Sequence, residues 1–286
     1  MKIDSKTKIY GLVGHLLEHT ASPAIHNAAF RALGLNAVYL ALDIDPMAFE
    51  EAIEGLKPLK VGGFNVTIPY KERIIPLLTH LDSSAMKVGA VNTVKVNGGL
   101  LIGYNTDIIG FLAPIMELNL KLNEVAALIL GAGGAAKACI RALLDAGCRE
   151  VIVLNRSLER ALNLLKQHNN TKLKVGALNE ESLKEALSRA RLVVNATPVG
   201  MYPNVDESII PKALLRCDLI VYDLVYRPVE TKLIREAKEA GATTISGYKM
   251  LLEQAAESFR IWTGLEPPKD AMLKALKLEL GVGDVG

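Results

Sequence analysis

The chain has 286 residues, 50% hydrophobic and 22% charged, enough for one large or two medium domains with a sizeable core. Its 33 Lys+Arg against 31 Asp+Glu leave a formal charge of +2, and aromatics are only 5%, which argues against a nucleic-acid surface, a polybasic membrane face or a base-stacking platform. Three widely spaced cysteines, Cys139, Cys148 and Cys217, form no CxxC or zinc spacing and read as reduced thiols of a cytoplasmic protein, with no secretory signal and no apolar run of about 18 residues to cross a membrane.

Short β-branched runs alternate with amphipathic helical patterns. KIYGLVG (8–14) predicts a strand, and SPAIHNAAFRALGL (22–35) a helix with Ser22 as N-cap and Pro23 at its first position. A strand over 37–44 and a helix over 46–56 follow. GGFNVTIPYKERII (62–75) begins as a third strand, is stopped by Pro69, and continues as a short helix from about Tyr70. AVNTVKVNGGLLIGYN (90–105) predicts two strands joined by a turn at Asn97-Gly98-Gly99, and NTDIIGFLAPIMELN (105–119) a bridging helix. The rhythm then restarts, with candidate strands at 125–134, 150–156, 173–178, 191–198, 218–225 and 243–246 and helical segments between most of them. That is the element count of a doubly wound nucleotide-binding domain. The helical tail has no strand of its own to cover and is placed back on the first domain. The expected fold class is α/β with two domains: an N-terminal one on a mainly parallel sheet, and a Rossmann-type one.

LILGAGGAAKA carries the clearest chemical signal. Gly131, Gly133 and Ala136 fit G-x-G-x-x-G/A between an apolar strand and a helix. The first glycine permits the tight turn, the second lets the backbone approach a pyrophosphate, and the small third residue packs helix on strand. The helix N-terminus offers N–H groups to that anion. The next candidate strand ends not in an acid but in Asn155-Arg156-Ser157, with Arg160 one turn later. A guanidinium there suits a 2′-phosphate, and so NADP over NAD.

In the first domain, polar residues collect at strand ends. Thr20, Ser22, Asn65, Thr67, Lys71, Asn92 and Asp107 could ring one pocket, offering hydroxyls, amides, one ammonium and one carboxylate. Such a set suits a small polyhydroxylated acid. The chain closely resembles the shikimate dehydrogenase family through nine motifs in order: HTASPAIHN, NVTIPYKE, GAVNT, GYNTDIIGF, GAGGAAKA, NRS, NATPVGM, DLVYRPVET and GYKMLLEQAAESF. The resemblance implies NADP-linked reduction of 3-dehydroshikimate to shikimate, in chorismate and aromatic amino-acid biosynthesis. It implies a substrate domain of residues 1–106 plus 248–286 and an NADP domain of 107–247. By the same resemblance Lys71 and Asp107 are the catalytic pair. Ser22, Asn65, Thr67, Asn92, Tyr226 and Gln254 face substrate, with Thr20 standing where the family usually has serine. Gly131, Gly133, Gly134, Ala135, Asn155, Arg156, Ser157 and Arg160 hold NADP, and Thr197, Met201, Gly247 and Met250 line the route to the nicotinamide.

Plainer readings stand beside these. Asp107 could be the N-cap of the bridging helix, with Thr106 competing for that place. Gln254 could be a surface residue. His15, His19 and His26 lack a carboxylate or cysteine to complete a metal site, so no metal is expected, and His26 reads as a packed helix residue. The partners expected are a small-molecule substrate, no nucleic acid and no membrane, with a homodimer left open. The competing functions are a quinate/shikimate dehydrogenase of broader substrate or cofactor use, and a catalytically silent nucleotide-binding regulator.

Overall fold

The structure is a computed structural model that describes residues 3–59, 61–168 and 170–282. By contacts the chain divides into two compact units. One comprises residues 1–107 and 252–286, the other residues 108–251, so the boundaries fall inside two helices.

The first unit is built on strands β1 (Lys8–Gly14), β2 (Ala37–Asp43), β3 (Gly63–Val66), β4 (His80–Leu81), β5 (Thr93–Asn97) and β6 (Leu100–Tyr104), in the order β2-β1-β3-β5-β6-β4. β1 lies parallel to β2 and β3, and β5 runs antiparallel to β3 and β6. The helices of this unit are α1 (Ser22–Ala32), α2 (Phe49–Leu56) and α3 (Ser83–Val88), with α4 (Asp107–Met116) starting at its boundary. One core cluster gathers Val13, Phe49, Ile53, Phe64, Val66, Tyr70 and Ile74. A second group is aromatic: Tyr10, Phe30, Tyr39 and Trp262 pack around His26 and one another. Gly63 makes room for it, since a Cβ there would lie 2.4 Å from Trp262 Nε1, which donates to the Val94 carbonyl at 2.9 Å.

The second unit carries β7 (Ala126–Leu130), β8 (Glu150–Asn155), β9 (Leu173–Ala177), β10 (Leu192–Asn195), β11 (Ile220–Asp223) and β12 (Thr243–Ser246) in the order β12-β11-β10-β7-β8-β9, every pairing parallel. This is the doubly wound order, starting at the centre with β7 and moving outward on each side. β7 shows why its sequence is apolar throughout. Ala127 and Ile129 enter one core and Leu128 and Leu130 the other, because a period of two sends alternate side chains to opposite faces, both covered. Helices α5 (Gly134–Asp145), α6 (Leu158–His168), α7 (Glu180–Arg189) and α8 (Lys232–Glu239) alternate with these strands. α9 (Gly247–Thr263) crosses the unit boundary, and α10 (Lys269–Glu279) packs on α1.

Two local expectations fail, and one short strand was not foreseen. No α-helix follows Tyr70: one helical turn forms through Ile74 N–H to the Tyr70 carbonyl at 3.0 Å, then Ile75 N–H turns to the Glu72 carbonyl at 3.2 Å, and Pro76, which has no N–H to donate, lies in a 3-10 turn at Ile75–Leu77. Ser22 is the first residue of α1 rather than its N-cap, a place taken by Ala21 with no side-chain hydrogen bond. β4 escapes sequence reading because two residues show no periodicity.

Candidate active site

Topology brings four polar loops to one edge of the first sheet. β1 and β3 are parallel, so Gly14 and Val66 end side by side. β5 opposes β3 with Asn65 against Thr93, and β6 opposes β5 with Tyr104 against Thr93. The start of β5 and the end of β6 therefore share the edge where β1 and β3 end. Thr20, Ser22, Thr67, Lys71, Asn92 and Asp107 all follow or precede these ends.

The lysine is aimed by its neighbours. The Ile68–Pro69 peptide is cis and closes a turn with Tyr70 N–H on the Thr67 carbonyl at 2.8 Å. Tyr70 is fully buried, stacks on Phe49 with centroids 4.0 Å apart, and donates its hydroxyl to the Ile44 carbonyl. Val91 N–H holds the Lys71 carbonyl at 2.7 Å. The turn is thus pinned on both sides of Lys71, whose Nζ donates to Asp107 Oδ2 at 2.5 Å. The two side chains are only 17% and 6% exposed, so removing either would strand a charge in a poorly solvated place.

Asp107 opens α4 and is held from three directions. Its N–H meets Asn105 Oδ1 at 3.1 Å, Asn92 Nδ2 donates to its Oδ1 at 2.8 Å, and Lys71 takes the other oxygen. Asn92 is itself fixed: its Oδ1 accepts Thr106 N–H at 2.8 Å and the Thr93 hydroxyl at 3.0 Å, while Nδ2 also reaches Thr106 Oγ1 at 2.9 Å. The Gln254 Oε1 of α9 lies 3.5 Å from Asn92 Nδ2, which places Gln254 at the site and not on the outer surface. Asn65 is 5% exposed, and its amide is engaged by Tyr39, Thr93, Ser258 and the Asn92 carbonyl. Among these residues Tyr39, Thr93, Asn105, Thr106 and Ser258 were missed by sequence reasoning, although four of them lie inside motifs already quoted (GAVNT, GYNTDIIGF and GYKMLLEQAAESF).

The loop after β1 is shaped by Asp43. Its carboxylate accepts Leu16 N–H at 3.2 Å and Leu17 N–H at 3.0 Å and lies 3.2 Å from His15 Nδ1, holding Leu16 at a φ of 59°. These contacts set the approach of Thr20, whose Oγ1 accepts Ser22 N–H at 3.3 Å. Ser22 also hydrogen-bonds the Tyr39 phenol, which burial drives well above its ordinary pKa. His26 is in α1, fully buried and stacked on Tyr39. Among the described residues no group of three His, Cys, Asp or Glu is placed to hold a metal ion.

In the second unit Gly131 follows β7 at φ 114°, and a Cβ there would lie 2.8 Å from the Ala196 carbonyl, so the turn needs glycine. Its N–H is tied to Leu154 at the end of β8 at 2.9 Å. Gly133 is the N-cap of α5, with no side-chain cap and open space around its Cα, and Gly134 and Ala135 form the first turn. An uncapped helix start beside an open glycine turn fits a dinucleotide's pyrophosphate. Asn155 ends β8 and donates to the Ser157 carbonyl at 2.9 Å, while Arg156 and Arg160 stand exposed beyond it. Thr197 is in a tight turn with its hydroxyl on Asn195 Oδ1 at 2.6 Å, and Met201 is 46% exposed. Gly247 opens α9 where a Cβ would meet the Leu224 carbonyl, Met250 lies in the core cluster, and Tyr226 is half-buried after β11. Asp223, at the end of β11, is fully buried. Its carboxyl pKa is raised to about 6, because burial outweighs hydrogen bonds from Thr231, Val225 N–H and Asn195.

Residues 12–94 match the family model of the shikimate dehydrogenase substrate binding domain, 115–223 that of shikimate/quinate 5-dehydrogenase, and 247–277 that of the shikimate 5′-dehydrogenase C-terminal domain. The shikimate dehydrogenase (NADP(+)) of Methanopyrus kandleri is 44% identical over 281 residues, 96% of this chain and 97% of that protein. The crystal structure of shikimate dehydrogenase from Aquifex aeolicus superposes with a TM-score of 0.89 at 41% identity, covering 96% of this chain and 100% of that one. The Thermus thermophilus enzyme, solved in complex with NADP(H) and shikimate, gives a TM-score of 0.86 at 38% identity, with 96% and 100% covered. With near-complete coverage and more than two-fifths of its residues shared with such a relative, the chain belongs to the shikimate dehydrogenase family.

Proposed function

We propose that the chain catalyses the reversible, NADP-dependent reduction of 3-dehydroshikimate to shikimate in chorismate and aromatic amino-acid biosynthesis. The observation that carries this reading is the Lys71–Asp107 pair, a 2.5 Å ammonium–carboxylate contact at the sheet edge where β1 and β3 end. NADPH, when bound, supplies the hydride that reduces the ring carbonyl. Lys71 Nζ holds a proton for the oxygen on which negative charge develops, and in the reverse direction takes it from the hydroxyl. General acid–base help of this kind contributes roughly 10²–10⁴-fold. Asp107 orients the Lys71 side chain through the contact at its Oδ2. Thr20, Ser22, Thr67, Asn92, Gln254 and Tyr226 hold the hydroxyls and carboxylate of the substrate, with Asn65 behind them.

In this reading the backbone at Gly131, Gly133, Gly134 and Ala135 cradles the pyrophosphate. Asn155, Arg156, Ser157 and Arg160 take the 2′-phosphate of the adenosine ribose. Thr197, Met201, Gly247 and Met250 border the nicotinamide end. No helix among the described residues is long and apolar enough to cross a membrane. The same reading puts the enzyme in the cytoplasm and allows a homodimer, which light scattering decides.

The test is the purified protein with 3-dehydroshikimate and NADPH, followed by loss of NADPH absorbance, with quinate and NAD in parallel arms. Turnover of 3-dehydroshikimate with NADPH is expected. Absence of turnover with dehydroshikimate, shikimate and quinate overturns the reading, and preference for quinate with NAD shifts it to the broader enzyme.

A further inference from the structure

We propose that Tyr39, Asn65 and Thr93 are positioning residues for the Lys71–Asp107 pair, joined to it by an unbroken chain of hydrogen bonds that all point toward the Asp107 carboxylate. This rests on the catalytic role given to that pair above.

The chain is read atom by atom. The Tyr39 phenol donates to Asn65 Oδ1 at 2.7 Å. Asn65 Nδ2 donates to Thr93 Oγ1 at 3.0 Å. The Thr93 hydroxyl donates to Asn92 Oδ1 at 3.0 Å. Asn92 Nδ2 donates to Asp107 Oδ1 at 2.8 Å, and Asp107 Oδ2 accepts from Lys71 at 2.5 Å. The direction of the amide and carboxylate links is fixed by chemistry, since amide oxygens and carboxylates only accept and amide nitrogens only donate. Thr93 Oγ1 accepts from Asn65 and lies 2.8 Å from Ser258 Oγ, a contact in which either hydroxyl can donate; with Ser258 as that donor, the Thr93 proton goes forward to Asn92 Oδ1.

Neither amide can turn over without loss. Thr106 N–H fixes Asn92 Oδ1 at 2.8 Å. The Asn92 carbonyl, 3.1 Å from Asn65 Nδ2, can only accept and so fixes which end of the Asn65 amide is the nitrogen. Tyr39, Asn65, Thr93, Asn92 and Asp107 are each 5% exposed or less. In so dry a setting each bond polarises the next, and an amide that accepts at oxygen donates more strongly at nitrogen. The phenol, three residues away along the chain, therefore strengthens the bond that orients the carboxylate. A run of buried polar groups costs more than an apolar filling of the same space unless every member is satisfied. Here every link is satisfied, and the run ends on the reacting pair.

The test uses the full-length protein and steady-state rates with shikimate and NADP⁺. Tyr39→Phe deletes the first donor, and Thr93→Val deletes a middle link while keeping the branched shape. Each is expected to lower kcat roughly three- to tenfold, with KM for shikimate within about twofold. Thr93→Ser, which restores the hydroxyl, is expected to recover kcat. Because the links act in series, the double variant should lose no more than the worse single one. Unchanged kcat in the single variants, losses that multiply in the double variant, or losses confined to KM would each overturn the chain. Tyr39→Phe, which removes one oxygen, decides the question if Thr93→Val does not fold. Absence of turnover by the unmodified protein overturns the catalytic reading and this proposal with it. Turnover by the unmodified protein, with the variants equal to it, overturns this proposal alone.

Discussion

Acid should destabilise the first unit through His26, by an amount that one substitution isolates. The imidazole is fully buried on α1, stacked on Tyr39 with centroids 4.4 Å apart, and neither ring nitrogen has a hydrogen-bond partner. Burial lowers its pKa from 6.5 to about 3. Above pH 6.5 the ring is neutral in the folded and the unfolded chain and adds no pH dependence. Below that, the unfolded chain takes up a proton that the folded chain refuses until about pH 3, so stability falls by about 1.4 kcal/mol per pH unit. The loss is roughly 2 kcal/mol at pH 5 and on the order of 5 kcal/mol at pH 3. His26→Phe keeps a ring against Tyr39 and removes the titration. Urea unfolding can be followed by the fluorescence of Trp262, the chain's one tryptophan, whose ring lies 5.2 Å from His26. The stability difference between the variant and the unmodified protein should move by about 2 kcal/mol in the variant's favour between pH 7.5 and pH 5. Any constant offset from the larger ring cancels in that comparison, as do the other titrating groups. A difference that stays flat over this range would refute the assignment of a neutral, unpartnered imidazole.

Further outcomes are expected at other positions. Lys71→Ala should lower kcat by roughly 10²–10⁴-fold while KM for shikimate changes much less; a lost KM with kcat retained contradicts the proton-transfer role. Arg156→Ala should raise KM for NADP by about 10- to 100-fold and leave NAD nearly unaffected, as steady-state rates with each cofactor will tell. Gly131→Ala places a Cβ 2.8 Å from the Ala196 carbonyl at φ 114°, and should cost about 2–4 kcal/mol by calorimetry. Asp223 titrates in the opposite sense to His26. Its folded pKa, about 6, lies above the ordinary 3.8, so its contribution weakens as pH rises from 3.8 to 6, and the buried carboxylate costs about 3 kcal/mol above that. Asp223→Asn, which can keep the bonds to Asn195 and Val225 through its oxygen, should therefore be no less stable at pH 7.5 by chemical denaturation. A loss above about 2 kcal/mol would show that the charge itself is needed.

The α/β architecture was legible where physics writes it locally. Parallel strands buried on both faces leave apolar runs such as Ala126–Leu130 and Leu192–Asn195, and these strands fall inside the segments marked by sequence. The Gly98-Gly99 turn was equally plain, with both residues at positive φ between β5 and β6. What was not legible depends on distance along the chain. Lys71 and Asp107 meet across 36 residues, and Asn65 meets Ser258 across 193. Thr93 and Thr106 look like ordinary polar residues at strand ends, and only tertiary burial makes their hydroxyls part of a dry network. Tyr39 reads as a β-former on an edge strand. Its phenol gains meaning from Ser22 on one side and Asn65 on the other.

That network also divides the labour among the candidate ligands. The two protons of Asn92 Nδ2 already face Asp107 Oδ1 and Thr106 Oγ1, and its oxygen takes Thr106 N–H and the Thr93 hydroxyl. Asn65 is committed in the same way to Tyr39, Thr93 and Ser258. A substrate hydroxyl that replaced any of these partners would leave a buried polar group unpaired, at a cost of about 1–3 kcal/mol. The hydroxyls of Thr20 and Thr67, on half-buried residues of the loops beyond β1 and β3, can turn toward a ligand without that loss. Under the proposed function, Thr20 and Thr67 would thus meet a substrate at the least cost, while Asn92, which borders the substrate as well, and Asn65 hold the Asp107 carboxylate, and through it the Lys71 side chain, in one orientation.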